Sequence, residues 1–280
     1  MNRYRLLFIL FAFLSLAGLT SCFPEQQIAN RFIRTPGIIT LKVAPPTYVL
    51  KFSHKGETIR DFATLDTAAQ DSALWATSRY IRSVSDSIVL ETYMNAFISG
   101  LRDLGFKVYL EGLADSFPAD GPQSYLVDIP QIQLDEYLYT LEDEGEFMDT
   151  LYQKRIVLNA IDFSTWVELG KASGTIRRKT VLYSSMTGYD GFDGRFYNDP
   201  FTGMVRYKYS IDTLTVDDVH DLAGYAGRQH AGYLYDFFLN QYIIRHLPEG
   251  MEPFDYYRYN PKRKSIYPAE DERFEVLQER

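Results

Sequence analysis

An α/β chain of the α+β kind is predicted, with an antiparallel or mixed sheet that carries two main amphipathic helices on one face. Three patterns predict it. Leu90, Met94, Phe97, Ile98, Leu101 and Leu104 recur at spacings of three and four, which lines them along one side of a helix. From Val157 to Leu169 every second residue, through Asn159, Ile161, Phe163, Thr165 and Val167, falls on one mostly apolar face, the period of a strand. Thr215 with Asp218 three residues on is a capping box that opens a second long helix. Laying helix stripes on a sheet face is one of the few ways such elements bury their apolar sides.

Taken in order, Ile38 to Val43 reads as a strand ended by Pro45-Pro46, because neither proline can donate to a ladder. Tyr48 to Ser53 reads as a second strand and Thr67 to Val84 as a helix. The helix from Ile88 to Leu104 stops at Gly105, a residue suited to the left-handed C-terminal position, and Phe106 to Leu110 alternates as a half-buried strand. Glu111 to Gln123 is a loop. Tyr125, Val127 and Ile129 then alternate, and beyond Pro130 the apolar parity moves to Ile132 and Leu134, the slip a β-bulge produces.

Thr140 to Asp149, with Glu142, Asp143, Glu144, Glu146 and Asp149 around Gly145, reads as a solvated acidic connection without the ligand spacing of a calcium loop. The long strand turns at Gly170 to Gly174 and returns over Thr175 to Ser184 as an antiparallel hairpin. Gly188 to Gly203 is irregular, and Asp190, Asp193 and Asp199 are expected to cap turns there rather than bind calcium. The final helix turns Val219, Ala223, Ala226, His230, Leu234 and Phe237 to one face. Gly224, Gly227 and Gly232 within it each cost about 1 kcal/mol relative to Ala, so close approach of another backbone is expected there. After Pro248 the tail is aromatic and basic. Tyr256, Tyr257, Arg258 and Tyr259 form either a contact strip for a partner, a glycan or lipid headgroups, or a strap lying over the sheet.

The chain shows no HExxH, no GxSxG, no phosphate-binding glycine loop and no GxGxxG after a strand, and His54, His220, His230 and His246 have no metal-clamp spacing. His230 lies on the apolar helix face and reads as a satisfied core histidine. Catalytic residues, metal ligands and cofactors are therefore expected to be none. The formal charge of −8 argues against nucleic acid, whose phosphates need clustered Lys and Arg.

The first twenty-two residues set the address. Arg3 and Arg5 precede an apolar run from Leu6 to Leu19, shorter than the roughly twenty residues that span a bilayer. The run closes on Leu19-Thr20-Ser21-Cys22, which resembles the lipobox of bacterial lipoproteins, and Cys22 is the single cysteine of the chain. The resemblance implies acylation of the Cys22 sulfur after removal of residues 1–21. The mature chain would be two charges more negative, so acyl chains rather than a basic face would hold it to the bilayer. Phe23, rather than Asp, after the cysteine implies the outer membrane, and the sparsely acidic stretch that follows implies its periplasmic face. Residues 22–36 then read as a lipidated tether, 37–248 as a single α/β domain and 249–280 as a C-terminal tail.

Lipobox, strand, Trp-bearing segment, the helix ending in Leu101-Arg102-Asp103-Leu104-Gly105-Phe106-Lys107-Val108, a strand meander with one Trp-bearing strand, a hairpin and a last long helix together resemble the ABC-type transport auxiliary lipoproteins, the PqiC-like family. The resemblance spans about residues 38 to 246, in the layout of elements more than in a signature. It implies a non-enzymatic, periplasm-facing auxiliary component of a transport complex, one that handles lipid in that family, or of an envelope-assembly complex, with a protein partner. The acidic insert near Glu142, the segment Gly188 to Gly203 and the aromatic tail depart from the family pattern. Abundant Tyr and Phe keep a glycan- or lipid-binding module as the alternative. Replacement of Cys22 by Ser is expected to abolish metabolic labelling with palmitate.

Overall fold

The structure, a computed structural model, describes residues 24–37, 39–110, 116–173, 179–269 and 274–277. The lipobox residues Leu19, Thr20, Ser21 and Cys22 lie outside the described residues. In chain order the elements are α1 (Pro24–Ile33), β1 (Thr40–Ala44), β2 (Val49–Ser53), α2 (Thr67–Thr77), α3 (Asp86–Asp103), β3 (Lys107–Leu110), β4 (Ser124–Phe147), β5 (Thr150–Lys171), β6 (Lys179–Tyr189), β7 (Gly191–Asn198), β8 (Val205–Asp212), α4 (Val216–His246), β9 (Tyr256–Asn260), β10 (Ser265–Ala269) and β11 (Glu275–Leu277). The class is the predicted one, a mixed α+β fold.

Seven strands form the main sheet in the order β11-β6-β5-β4-β1-β3, with β2 also on β4. β1 and β2 run parallel to β4 along successive stretches of it, Thr40–Ala44 beside Ser124–Asp128 and Val49–Ser53 beside Ile132–Glu136. Pro45-Pro46 occupy the break between β1 and β2, and Pro130 lies on β4 where the register with β5 slips between Asp128 and Gln131. Three residues without an N–H thus gather where the ladder is interrupted. The parity switch follows: Val127 and Ile129, then Ile132 and Leu134, are buried.

α3 and α4 cover one face of this sheet. Phe97, Leu101, Ala226 and Leu234 share a core with Leu41, Val127, Ile132, Phe163 and Leu182, each large side chain contributing roughly 1.5–3 kcal/mol by leaving water. Tyr93 stacks on both Phe97 and Phe163, at 5.8 and 5.6 Å. α3 ends in a Schellman motif: the Phe106 N–H reaches the Leu101 carbonyl and the Gly105 N–H that of Arg102, with Gly105 at φ +90°. The capping box at Thr215 and Asp218 is formed. The helices meet closely at Gly227, where a Cβ would run into the Tyr93 carbonyl, but Gly232 has open space around it among the described residues, contrary to expectation. His230 is in the core, with the Tyr93 hydroxyl 3.1 Å from its Nδ1, yet among the described residues its Nε2 has no partner. Burial pushes its pKa down to about 3 and keeps it neutral.

The structure departs from five sequence expectations. The stretch 22–36 is not a loose tether where it is described: α1 sets Ile28, Ala29 and Phe32 on one buried face, and Phe32 packs on Tyr235 and Tyr242 of α4. The helix expected from Thr67 to Val84 stops at Thr77, because the N–H groups of Arg79, Tyr80 and Ile81 turn to the Glu136 carboxylate instead of continuing a helical ladder. The acidic stretch Thr140 to Asp149 is mostly strand, and Gly188 to Gly203 contains β7, for reasons given below. The tail is part of the body: β11 extends the sheet beside β6, and β9 lies along α4.

Tyr256 to Tyr259 lie along α4 rather than over the sheet. Tyr257 is buried and exchanges backbone hydrogen bonds with the Asn240 side chain, while Tyr259 packs on Tyr235 with the rings tilted and 4.8 Å apart and gives its N–H to Asp236. Burial lifts the Asp236 carboxyl to about 7, against the pull of the Tyr259 N–H and Arg258. Gly227→Ala should cost about 1–3 kcal/mol by overpacking the helix crossing. Gly232→Ala should raise stability by about 1 kcal/mol; urea denaturation of both variants measures the opposite signs.

Candidate interaction surface

β6 leaves β5 at the pair Ala160–Tyr189, and among the described residues β4 has no partner but β5 beyond Glu136. From Leu138 to Phe147 the β4–β5 hairpin therefore continues as a two-stranded ribbon, projecting roughly 30 Å at about 3.4 Å per residue. What makes this acidic segment a strand is the strand opposite: Glu142 faces Arg155, Asp143 faces Lys154, and Gln153 donates to Glu144 at 2.7 Å. Glu142, Glu144 and Glu146 point to solvent while Leu141, Asp143, Gly145 and Phe147 are half-buried.

The inward residues meet the β7–β8 hairpin, which lies against the ribbon. The Phe196 ring covers Gly145, where a Cβ would come within 2.6 Å of it. A run of rings follows, with Tyr152 to Phe196 at 6.1 Å, Phe196 to Tyr207 at 4.6 Å and Tyr207 to Tyr209 at 6.0 Å. The Tyr207 hydroxyl donates to Asp143 at 2.6 Å. Since Phe196 and Tyr152 each lie close to their own turns, the two hairpins end side by side.

At that shared end the apolar side chains face outward. Met148 is 88% and Phe201 97% exposed, with Leu151 and Met204 also exposed beside them. Met148 and Asp149 are the two loop residues of the β4–β5 turn, both at positive φ (47° and 60°). Such a turn ordinarily takes Asn-Gly; here non-glycine residues hold left-handed conformations at a cost of roughly 1 kcal/mol or more each. The second tip is braced: the Phe201 N–H bonds the Asp199 carboxylate, Arg206 pairs with it at 2.7 Å, and Gly203 takes φ +65°. Asp199 thus caps a turn as expected, and those hydrogen bonds and Arg206 hold its carboxyl below the usual range.

A polar knot sits where the ribbon leaves the body. Glu136 is fully buried, bonds the Lys55 ammonium at 2.5 Å and accepts N–H groups from Arg79, Tyr80 and Ile81. Lys55 also reaches the Asn159 side chain, which bonds Asp190; Asp190 further accepts from the Tyr80 hydroxyl and the N–H groups of Asn159 and Leu214. Burial alone would raise both carboxyls, but these donors bring each below its ordinary pKa. Asp190 is therefore a long-range tie and not the simple turn cap expected. Among the described residues no group of three His, Cys, Asp or Glu is placed to hold a metal ion.

The body's other end is formed by α1 and the close of α4: Phe32 meets Tyr242, Glu25 accepts the Phe254 N–H, and Phe238 packs on Tyr125 at the start of β4. α4, about 45 Å long at 1.5 Å per residue, runs from the knot to this end, so the tips and Pro24 lie at opposite extremes. The solvent face of the sheet is polar, with Gln131, Gln133 and Asp135 hydrogen-bonded in file and Trp166 against Tyr183 at 4.8 Å.

Of the residues singled out from sequence, Cys22 and its lipobox are outside the described part and Tyr256 to Tyr259 strap α4. Met148, Leu151, Phe201 and Met204 were not foreseen. Their one sequence signal is apolar residues set among turn-formers and acids, where a plain loop would be polar.

No family model matches the chain, and no curated protein matches it. Among solved structures, one from Helicobacter pylori, described as a neuraminyllactose-binding hemagglutinin homolog, aligns over 75% of this chain and 90% of its own, at 8% identity and a TM-score of 0.30. At that score neither a common fold nor a common activity is shown.

Replacing Glu136 by Gln should cost about 3–5 kcal/mol at pH 7, the range for breaking a buried pair. The carboxyl is more acidic folded than unfolded, so its contribution is complete above the unfolded value of about 4.3 and fades as pH falls below it. Urea denaturation from pH 7 to 3 should show the gap between wild type and Glu136→Gln narrowing toward acid.

Proposed function

We propose that this chain is a lipid-anchored, non-enzymatic adaptor on the periplasmic face of the outer membrane, serving a transport or envelope-assembly complex, lipid transport included. Its acylated Cys22 holds it to the bilayer, and the paired hairpin tips engage a protein partner. The observation that carries this reading is the tip itself: Met148 and Phe201, almost wholly exposed, stand on a braced double hairpin at the end of the molecule opposite Pro24. Large apolar side chains held rigidly in water mark a contact surface. The acids of β4 around them favour a partner whose apolar pocket has a basic rim and disfavour an anionic bilayer. Strain kept at Met148-Asp149 is what a functional turn retains and a structural one loses.

A second reading, glycan binding, is favoured by the solvent face of the sheet. There the Trp166–Tyr183 pair adjoins the Gln131 and Gln133 amides, rings and planar donors of the kind sugars stack on and bond to.

Two substitutions test the adaptor. Changing Met148-Asp149 to the preferred pair, Met148→Asn with Asp149→Gly, should raise stability by about 1–2 kcal/mol. A photo-crosslinking residue at Phe201 should give a discrete adduct with one protein in cells, reduced tenfold or more by that turn exchange, while the same probe at exposed Phe254 gives none. Lipid adducts or no adduct from Phe201, or the same adduct from both positions, would overturn the reading. Loss of glycan-array binding on Trp166→Ala, with Phe201 silent, would support the second.

A further inference from the structure

We propose a second binding site, for the anionic head of a membrane amphiphile carrying a phosphate or carboxylate, in the cleft between the closed end of the β4–β5–β6 ladder and the last turns of α4. The cleft, of about 190 Å³, is lined by Lys171 and Arg245 and, among the described residues, by no carboxylate, in a chain whose formal charge is −8. Lys171 lies with its ammonium 4.1 Å from the Tyr125 ring centre and gives one N–H to the Pro122 carbonyl. An ammonium has three donors, so among the described residues two remain for a ligand.

Arg245 has no carboxylate within salt-bridge distance among the described residues, and its planar fork suits phosphate or carboxylate oxygens. Gln241 and Thr180 add donors, and Phe237 and Phe238 present apolar surface. The end of α4 opposes an anion with roughly half a negative charge, which two full cations at the cleft outweigh.

Size and position choose the ligand. The cleft has room for a phosphate or carboxylate with a few carbons, and acyl chains would lie elsewhere. An adjoining smaller cleft shares Tyr125, Phe238, Gln241 and Arg245 and continues to Phe32 of α1. α1 begins two residues after Cys22. On the reading of Cys22 as the anchor, the cleft lies beside the bilayer, at the end remote from the acidic ribbon.

The test reads acetylation of Lys171 by mass spectrometry, with Lys262 as an internal control, on the anchored protein in nanodiscs. Phosphatidylglycerol discs should protect Lys171 at least fivefold relative to phosphatidylcholine discs, and Arg245→Gln, an exposed position whose change should leave the melting temperature unaltered, should remove the protection. Protection that appears in phosphatidylcholine discs only on adding dodecyl phosphate would also support the site, and would make its source a free amphiphile. Absence of protection in every arm, protection unaffected by Arg245→Gln, or equal protection by inorganic phosphate would overturn it. The dodecyl phosphate arm can be repeated on the unanchored Cys22→Ser protein, so failure of the cleft is distinguishable from failure of the anchor or of the tip contact.

Discussion

The Glu136 carboxylate is the constraint on which the rest of the structure depends. Burying a charge is costly unless every lone pair is answered, and here one ammonium and three consecutive backbone N–H groups answer it. Those N–H groups belong to the segment after α2, the ammonium to the turn after β2, and the carboxylate to the point where β4 leaves the body. Through Asn159 and Asp190 the same network ties β5, the start of β7 and the entry to α4. Six segments distant in sequence are thereby fixed to one another at the root of the ribbon, and a lever projecting this far needs a root that does not yield.

That root divides the molecule into parts with different chemistry. Below it, two helices and a sheet bury aliphatic and aromatic side chains in the ordinary way, and α1 and the strap close the body around the far half of α4. Beyond it there is little interior: two hairpins lean on each other through Phe196, Tyr207 and one ring-over-glycine contact at Gly145. The base is compact, and the projection is thin with apolar side chains at its end.

Much of the base was legible in the sequence. The helix stripe from Leu90 to Leu104, the Gly105 stop, the capping box and the parity switch at Pro130 are local patterns whose cause lies within a few residues of themselves. What was not legible depends on contacts across the chain. Arg79 to Ile81 look helical until a carboxylate 55 to 57 residues away claims their N–H groups. The acids from Glu142 to Glu146 look like a solvated loop until Lys154 and Arg155 are placed opposite them. Asp190 looks like a turn residue until Tyr80, Asn159 and Leu214 converge on it. The projecting tips were hidden for the same reason: Met148 and Phe201 are far apart in sequence, and only the pairing of the hairpins brings them together.

The ribbon has a further consequence. Between Leu138 and Phe147 its β4 edge carries no neighbouring strand among the described residues, and unguarded edges of that length invite identical chains to stack into fibrils. The dense side-chain charge on this segment is then a safeguard as well as a surface: Glu142, Glu144 and Glu146 would repel their counterparts in any second ribbon laid in register. Neutralising them would be expected to turn a soluble projection into a seed for aggregation, so the acidity that obscured the strand also lets a strand of this kind remain exposed to water.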